Sequence, residues 1–238
     1  MDARTPESDM RDGGVVDVGG TKVMVGVARD GVLVETTSFS TRDYGDAEAI
    51  TEMIASAGRG LAEHNCIKVQ AAAVGLPGIL DREAGVVRHA SNLPFHDYPL
   101  ASELSRRLGG VPVTLEHDAN CGVLAETIRG AGQGSDSVVF LTVSTGIGMG
   151  TMLRGKLIEG ARGAAGEIGH VTVMPGGRAC ICGRAGCLEA YASGAAIAKM
   201  GRDALLEGNS LTLASLAAEP GRITAREVVA AAPAGDEA

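Results

Sequence analysis

The sequence predicts a mixed α/β protein made of two similar domains. Three observations predict it. The chain opens with three apolar runs separated by glycine-rich turns, the pattern of a β-meander. Beyond the meander, segments with helical and strand periodicity alternate, which calls for crossover helices over a sheet with parallel pairs. A strand, a glycine-rich turn and a second strand occur at the start and again from Val138, so one layout is repeated in two halves that face each other.

The meander is predicted over Gly13–Val18, Val23–Ala28 and Val32–Phe39. Its first turn reads Asp17-Val18-Gly19-Gly20-Thr21-Lys22. Gly19 and Gly20 lack side chains, so their N–H groups can approach an anion closely. Thr21 and Lys22 add a hydroxyl and a cation, and Asp17 stands at the strand end, placed to hold water on a divalent cation. An ordinary hairpin turn accounts for the same residues. A helix is predicted over Asp46–His64, with Asp46 as cap and Ile50, Met53, Ile54, Ala57 and Leu61 at helical spacing.

Val69–Leu76 is nearly all apolar and is predicted as a strand buried on both faces. It ends in the sharp loop Gly75-Leu76-Pro77-Gly78. Gly85–His89 reads as a short strand, and Ser91–Phe95 as a loop in which the Asn92 amide is free to read hydroxyl groups. A helix over Leu100–Leu108 and a strand over Val111–Leu115 follow. The strand runs into Glu116-His117-Asp118-Ala119-Asn120 and a helix over Ala119–Arg129, which puts Asp118 at a helix N-terminus and a strand end. Two readings fit that place: an N-cap, or a general base at the sheet edge where open α/β sheets bind ligands.

Val138–Val143 is strongly apolar and leads into Ser144-Thr145-Gly146-Ile147-Gly148-Met149-Gly150. No Gly-Lys-[Ser/Thr] closes this turn into a helix, so it is not a Walker loop, and it lacks the dinucleotide spacing. A hairpin that offers N–H groups to phosphates fits. Further on, Cys180, Cys182 and Cys187 fall within eight residues, and His170 precedes the first of them by ten positions. Three cysteines and a histidine are a standard tetrahedral zinc set. Gly183 and Gly186 permit the tight turns that gather the sulfurs. Unrelated thiols, or a disulfide with a spare, are the competing reading. Glu167 and Glu189 flank the cluster, so the metal knot also holds two acids. The remaining cysteines, Cys66 and Cys121, sit beside apolar residues and read as buried thiols. One helix is expected over Leu188–Glu207, with Tyr191, Ile197 and Met200 on its apolar face, and short helical pieces over Leu211–Leu216 and Thr224–Ala232.

The composition, 45% hydrophobic and 21% charged, is that of a globular protein. A formal charge of −8 argues against a nucleic-acid backbone binder, and 3% aromatics without Trp argue against a base-stacking surface. No apolar run is long enough to span a bilayer. Residues 1–12 are polar, lack a signal core and read as a disordered tail. The expected compartment is the cytoplasm, where thiols stay reduced.

Together the Asp17–Lys22, Glu116–Asn120, Ser144–Gly150 and His170–Cys187 motifs resemble, in order and spacing, the ROK family of sugar kinases and related repressors. The resemblance covers residues 13–238. It implies an actin-like ATPase fold of two RNase H-like domains around a cleft: 13–117, then 118–238 with a zinc-binding insert at 166–190. The second domain is expected to be incomplete, since family members continue past Gly235-Asp236, and the chain is expected to be of low stability or self-associating. The implied activity is transfer of the ATP γ-phosphate to a hexose, foremost glucose to glucose 6-phosphate, as in carbohydrate metabolism and glycolysis. Asp118 would be the catalytic base. Gly78, Asn92, Glu167, His170 and Glu189 would bind the sugar. Gly19, Gly20, Thr21, Lys22, Thr145 and Gly146 would hold the phosphates, with Asp17 positioning Mg²⁺. His170, Cys180, Cys182 and Cys187 would bind Zn²⁺, and a homo-oligomer is implied. The alternatives are a sugar-binding remnant without catalysis, or a regulator of the same family, which would carry a helix-turn-helix domain before the first glycine turn.

Overall fold

The computed structural model describes residues 12–90, 92–161, 163–208, 210–216, 221 and 223–232. The tail expected over residues 1–12 lies outside these except for Asp12. The chain divides into two compact units. One runs to Val138 and includes Thr151–Ala164; the other takes Val139–Gly150 and the chain from Ala165 onward.

The first unit is built on a five-stranded sheet. The meander forms as β1 (Gly13–Val18), β2 (Lys22–Arg29) and β3 (Val32–Ser40), paired antiparallel. β4 (Ala71–Leu76) then joins β1 in parallel, giving the order β3-β2-β1-β4-β8 once β8 (Val113–His117) adds on in parallel. Helix α1 (Ala47–His64) starts where Asp46 accepts a hydrogen bond from the Ala49 N–H at 2.8 Å, as its sequence predicts. α1 packs on β2, and α2 (Leu100–Arg107) on β8. Their contact buries Val23, Val25, Val27, Ile50, Ile54, Val74, Leu100, Leu104 and Leu115 in one core. Each such side chain contributes about 1.5–3 kcal/mol relative to exposure.

β4 departs from expectation. Ala72, Val74 and Leu76 are buried, but Ala71 and Ala73 are exposed. Composition alone could not separate the two faces, because alanine is tolerated on either. The loop after β4 also holds more order than expected: β5 (Ile79–Asp81), β6 (Val86–His89) and β7 (His96–Tyr98) form a small antiparallel sheet in the order β5-β6-β7. α3 (Asp118–Arg129) follows β8 without a break.

β9 (Val138–Val143), β10 (Ile147–Leu153) and β11 (Lys156–Leu157) form a third sheet, in the order β11-β10-β9. In the second unit the single helix expected over Leu188–Glu207 is two, α4 (Glu189–Ala192) and α5 (Gly194–Leu206). At the break, Ser193 accepts from the Ala196 N–H at 3.1 Å, while the Gly194 N–H leaves the helical ladder for the Ser144 carbonyl at 2.8 Å. α6 (Leu211–Leu216) and α7 (Ala225–Ala231) follow, and Leu213, Ile223 and Ala231 pack as a small core with Leu205 and Val228. Thr224 and Glu227 close a capping box on α7.

Candidate functional site

In the first unit the parallel pairing of β1, β4 and β8 brings three carboxyl ends to one edge. Asp17 pairs with Gly75, and Gly75 with Glu116. The next residues of β8 carry the chain through His117 into Asp118. Ligands of open α/β sheets bind at this edge. Asp118 is not the N-cap: His117 occupies that position without a side-chain cap bond, and Asp118 is the first residue of α3. Its Oδ1 accepts from the Ala119 N–H at 2.7 Å and lies 3.2 Å from His117 Nδ1. The side chain remains 39% exposed, so the carboxylate is open to a reacting group. Desolvation, with the Asp118 charge second, holds the Asp17 carboxyl above its ordinary value, and Lys22 partly offsets this. The two aspartates therefore share one electrostatic neighbourhood.

The β1–β2 turn is closed by its own backbone, since the Gly19 N–H donates to the Lys22 carbonyl at 2.8 Å. Thr41 ties the turn down, its hydroxyl donating to the Gly20 carbonyl at 2.9 Å. Thr21 and Lys22 are exposed beside it. A Cβ on Gly20 would fall 2.9 Å from Asn92 Cβ, so only glycine lets the Asn92 loop pack against this turn. Gly78 has φ +113, and a Cβ there would meet the His89 carbonyl at 2.3 Å. It lets the start of the small sheet lie against His89 and Ala90, the end of β6 from which the chain continues to Asn92. Cys66 and Cys121, expected to be buried, are both exposed. Cys66 follows α1 with φ 52, and Cys121 lies on the first turn of α3 at the carboxyl edge, its sulfur turned toward β4, where a Cβ on Gly75 would meet it at 3.4 Å.

In the second unit the turn at Thr145 and Gly146 is held from two sides. The Gly194 N–H binds the Ser144 carbonyl, and the Ile147 N–H donates to Glu189 Oε2 at 2.9 Å. Glu189 opens α4, where a carboxylate is favoured by the helix N-terminus. Gly166 and Gly169 run close along β10; Cβ atoms there would meet the carbonyls of Met149 at 1.9 Å and Ile147 at 2.4 Å. Between and after them the 3-10 turn Ile168–His170 presents Glu167 and His170, with Glu167 Oε2 3.9 Å from His170 Nε2. The other ring nitrogen, Nδ1, lies 3.5 Å from Cys180 Sγ, and the Cys182 and Cys187 sulfurs are 3.7 Å apart. All four ligand atoms of His170, Cys180, Cys182 and Cys187 lie within 4.8 Å of one another. Tetrahedral zinc with ~2.3 Å sulfur and ~2.0–2.1 Å nitrogen bonds separates its ligand atoms by roughly 3.5–3.8 Å, so the donor set fits such an ion. Two pairings, Thr172 with Cys187 and Ala179 with Ala185, close the knot. Gly186 has φ +86, and a Cβ there would lie 1.8 Å from the Met174 carbonyl. Within the cluster the backbone and side chain of Arg184 pull the Cys182 thiol down to about 6, while burial and the neighbouring sulfurs push Cys187 up to about 11.

Sequence reasoning passed over Arg82 and the role of Glu116. Arg82 bridges Glu116 and Glu159, each at 2.5 Å. Glu116 was visible inside its motif, but no local pattern links it to an arginine in the turn after β5. Among the described residues no helix is long and apolar enough to cross a membrane.

Residues 13–238 match the ROK family. The glucokinases of Halalkalibacterium halodurans and Thermotoga maritima are 36% and 39% identical, each over 93% of this chain and over 68% and 69% of their own lengths. The crystal structure of a ROK family glucokinase from Streptomyces griseus in complex with glucose and AMPPNP superposes with a TM-score of 0.81 at 35% identity, over 95% of this chain and 72% of that one. A ROK family transcriptional regulator, a homologue of the Escherichia coli MLC protein, superposes at 0.82 with 25% identity, over 96% of this chain and 57% of that one. The chain belongs to the ROK family and has its actin-like, mixed α/β ATPase fold.

Proposed function

We propose that the chain is a sugar kinase that transfers the γ-phosphoryl group of ATP to a hexose hydroxyl, with glucose as the first candidate. The observation that carries the reading is Asp118, an open carboxylate at the carboxyl edge of the parallel strands β1, β4 and β8, in one electrostatic neighbourhood with Asp17, in a chain whose glucokinase relatives match over 93% of its length. Phosphoryl transfer asks mainly for alignment and charge stabilisation, with one acceptor for the hydroxyl proton.

In this reading Asp118 takes the proton from the attacking hydroxyl. Asn92, Glu167, His170 and Glu189 hold the other hydroxyls, and Gly78 shapes the loop that leads to Asn92. The Gly19–Lys22 and Thr145–Gly146 turns hold the phosphates. Asp17 orients the water shell of Mg²⁺, which when bound neutralises charge on the phosphate oxygens. His170, Cys180, Cys182 and Cys187 would bind Zn²⁺, which would supply a fixed anchor for the His170 ring, whose Nε2 lies 3.9 Å from Glu167. The same reading assigns the chain to the cytoplasm, where these thiols stay reduced, and to a homo-oligomer.

The similarity to a ROK regulator favours a second reading, a sugar-responsive protein that binds hexose without turning it over. A coupled assay over a panel of hexoses and phosphate donors decides between them. Turnover with ATP and glucose supports the kinase. Hexose binding by calorimetry with no transfer from any donor sinks it.

A further inference from the structure

We propose that Arg82 is a positioning residue for the transfer reaction, acting through Glu116 on the turn that presents Asp118. The proposal rests on the reading of Asp118 as the base.

Glu116 is the penultimate residue of β8. Its Oε1 accepts from the His117 N–H at 2.8 Å and from Asn120 Nδ2 at 2.9 Å. Those two donors flank Asp118 and Ala119, so one carboxylate oxygen braces both sides of the turn. Asn120 is 5% exposed, and this bond fixes its amide from β8. Glu116 Oε2 is taken by Arg82 Nη1, and Arg82 Nη2 binds Glu159 Oε2. The Arg82 side chain is 27% exposed, shielded enough for its charge to matter. A planar fork that grips two carboxylates is particular to arginine.

The charge has a second consequence. Asp17, Glu116 and Asp118 crowd one edge. After desolvation, the charges of Glu116, Asp118 and Asp17, in that order, push the Cys121 thiol up to about 11. A third unneutralised carboxylate here would repel an incoming phosphate and compete with the brace for solvent. Arg82 cancels that charge and keeps Glu116 folded onto the turn.

The test uses the full chain and four variants: Arg82→Met, Arg82→Lys, Glu116→Gln and the Arg82→Met/Glu116→Gln pair. Arg82→Met is expected to lower kcat by about tenfold or more while the hexose KM moves by less than about threefold, the signature of misplacement at the reacting centre. The pair should be no worse than Arg82→Met alone, because the two residues act as one unit. A second readout needs no activity: iodoacetamide labelling of Cys121, followed by peptide mapping with Cys66 as internal reference. Labelling should slow in Arg82→Met, and return toward the wild-type rate in the pair and in Arg82→Lys, which keeps the charge. Wild-type kcat in Arg82→Met, or additive losses in the pair, overturns the positioning role. A wild-type chain that transfers no phosphate overturns the kinase reading instead. The labelling arm then judges the Arg82–Glu116 coupling alone, and an unchanged or faster rate in Arg82→Met overturns it.

Discussion

Glu189 Oε2 accepts a hydrogen bond from the Ile147 N–H at 2.9 Å, and a Cβ added at Gly146 would fall 2.5 Å from that same oxygen. One carboxylate thus binds together the first residue of α4, two positions after Cys187, and the glycine turn between β9 and β10. A side chain proposed to hold sugar and a turn proposed to hold phosphate share an atom. Gly146→Ala should displace the carboxylate, and Glu189→Ala should remove it. Each is expected to raise KM for hexose and for nucleotide together, by about 10–100-fold where a charged hydrogen bond of roughly 1.5–3 kcal/mol is lost. Steady-state kinetics in which only one substrate's KM moves would show that the two sites are uncoupled.

Asp118→Asn keeps the shape of the α3 start and removes the proton acceptor. Turnover should fall by about 10²–10⁴-fold, the usual worth of a general base, with hexose affinity unchanged by calorimetry. A variant that retains near wild-type turnover would exclude Asp118 as the base.

The cysteine–histidine knot makes a metal prediction. Metal analysis should find one zinc per chain, and a strong chelator should lower the melting temperature, because such sites yield roughly 10–16 kcal/mol of binding energy that is also folding energy in zinc peptides. Cys187 is fully buried, so Cys187→Ser should both abolish metal binding and loosen α4. Zinc-free protein with an unchanged melt would remove the assignment.

Asp17 gives a pH signature. Its carboxyl is raised above 3.8 by desolvation and then by Asp118. The native state therefore holds the proton more tightly than the unfolded chain. Stability falls as pH climbs from the unfolded value of 3.8 through the raised native value, and the loss is complete above that window. Asp17→Asn should accordingly melt higher than wild type at neutral pH and lose this advantage below pH 3.8, while phosphate transfer weakens. Melting curves across that range in which the variant is less stable at neutral pH would contradict the electrostatic account.

β9 turns Val139, Leu141 and Val143 outward, at 62%, 54% and 55% exposure. Contiguous exposed apolar side chains promote association. The chain by itself is expected to self-associate, and Leu141→Lys should shift it toward monomer in light scattering. A monodisperse wild-type monomer at high concentration would contradict this.

Much of this protein could be read locally. The knot was legible because Cys180, Cys182, Cys187 and His170 lie close in the chain and metal chemistry constrains their types. The meander and α1 were legible because strand and helix periods differ, and because Asp46 caps where a cap is needed. The small β5-β6-β7 sheet was mostly missed, since its strands are too short for periodicity to register. The predicted Leu188–Glu207 helix ran through Ser193, because nothing in the local sequence announces that the Gly194 N–H will bond Ser144 instead of its own helix.

The order of residues settles the chemistry on offer: which carboxylates, glycines, thiols and imidazole the chain carries, and the elements whose ends they mark. Which of these groups become neighbours depends on how the chain folds back on itself. Asp17 and Asp118 lie on opposite sides of a long stretch of chain, and they meet through the register of three parallel strands. Arg82, in the turn after β5, reaches Glu116 of β8 by a side-chain ion pair that joins two different sheets. Strand pairing is a choice among distant partners, made by burying Val74 and Leu115 beneath the helices, and no short window of residues contains that choice.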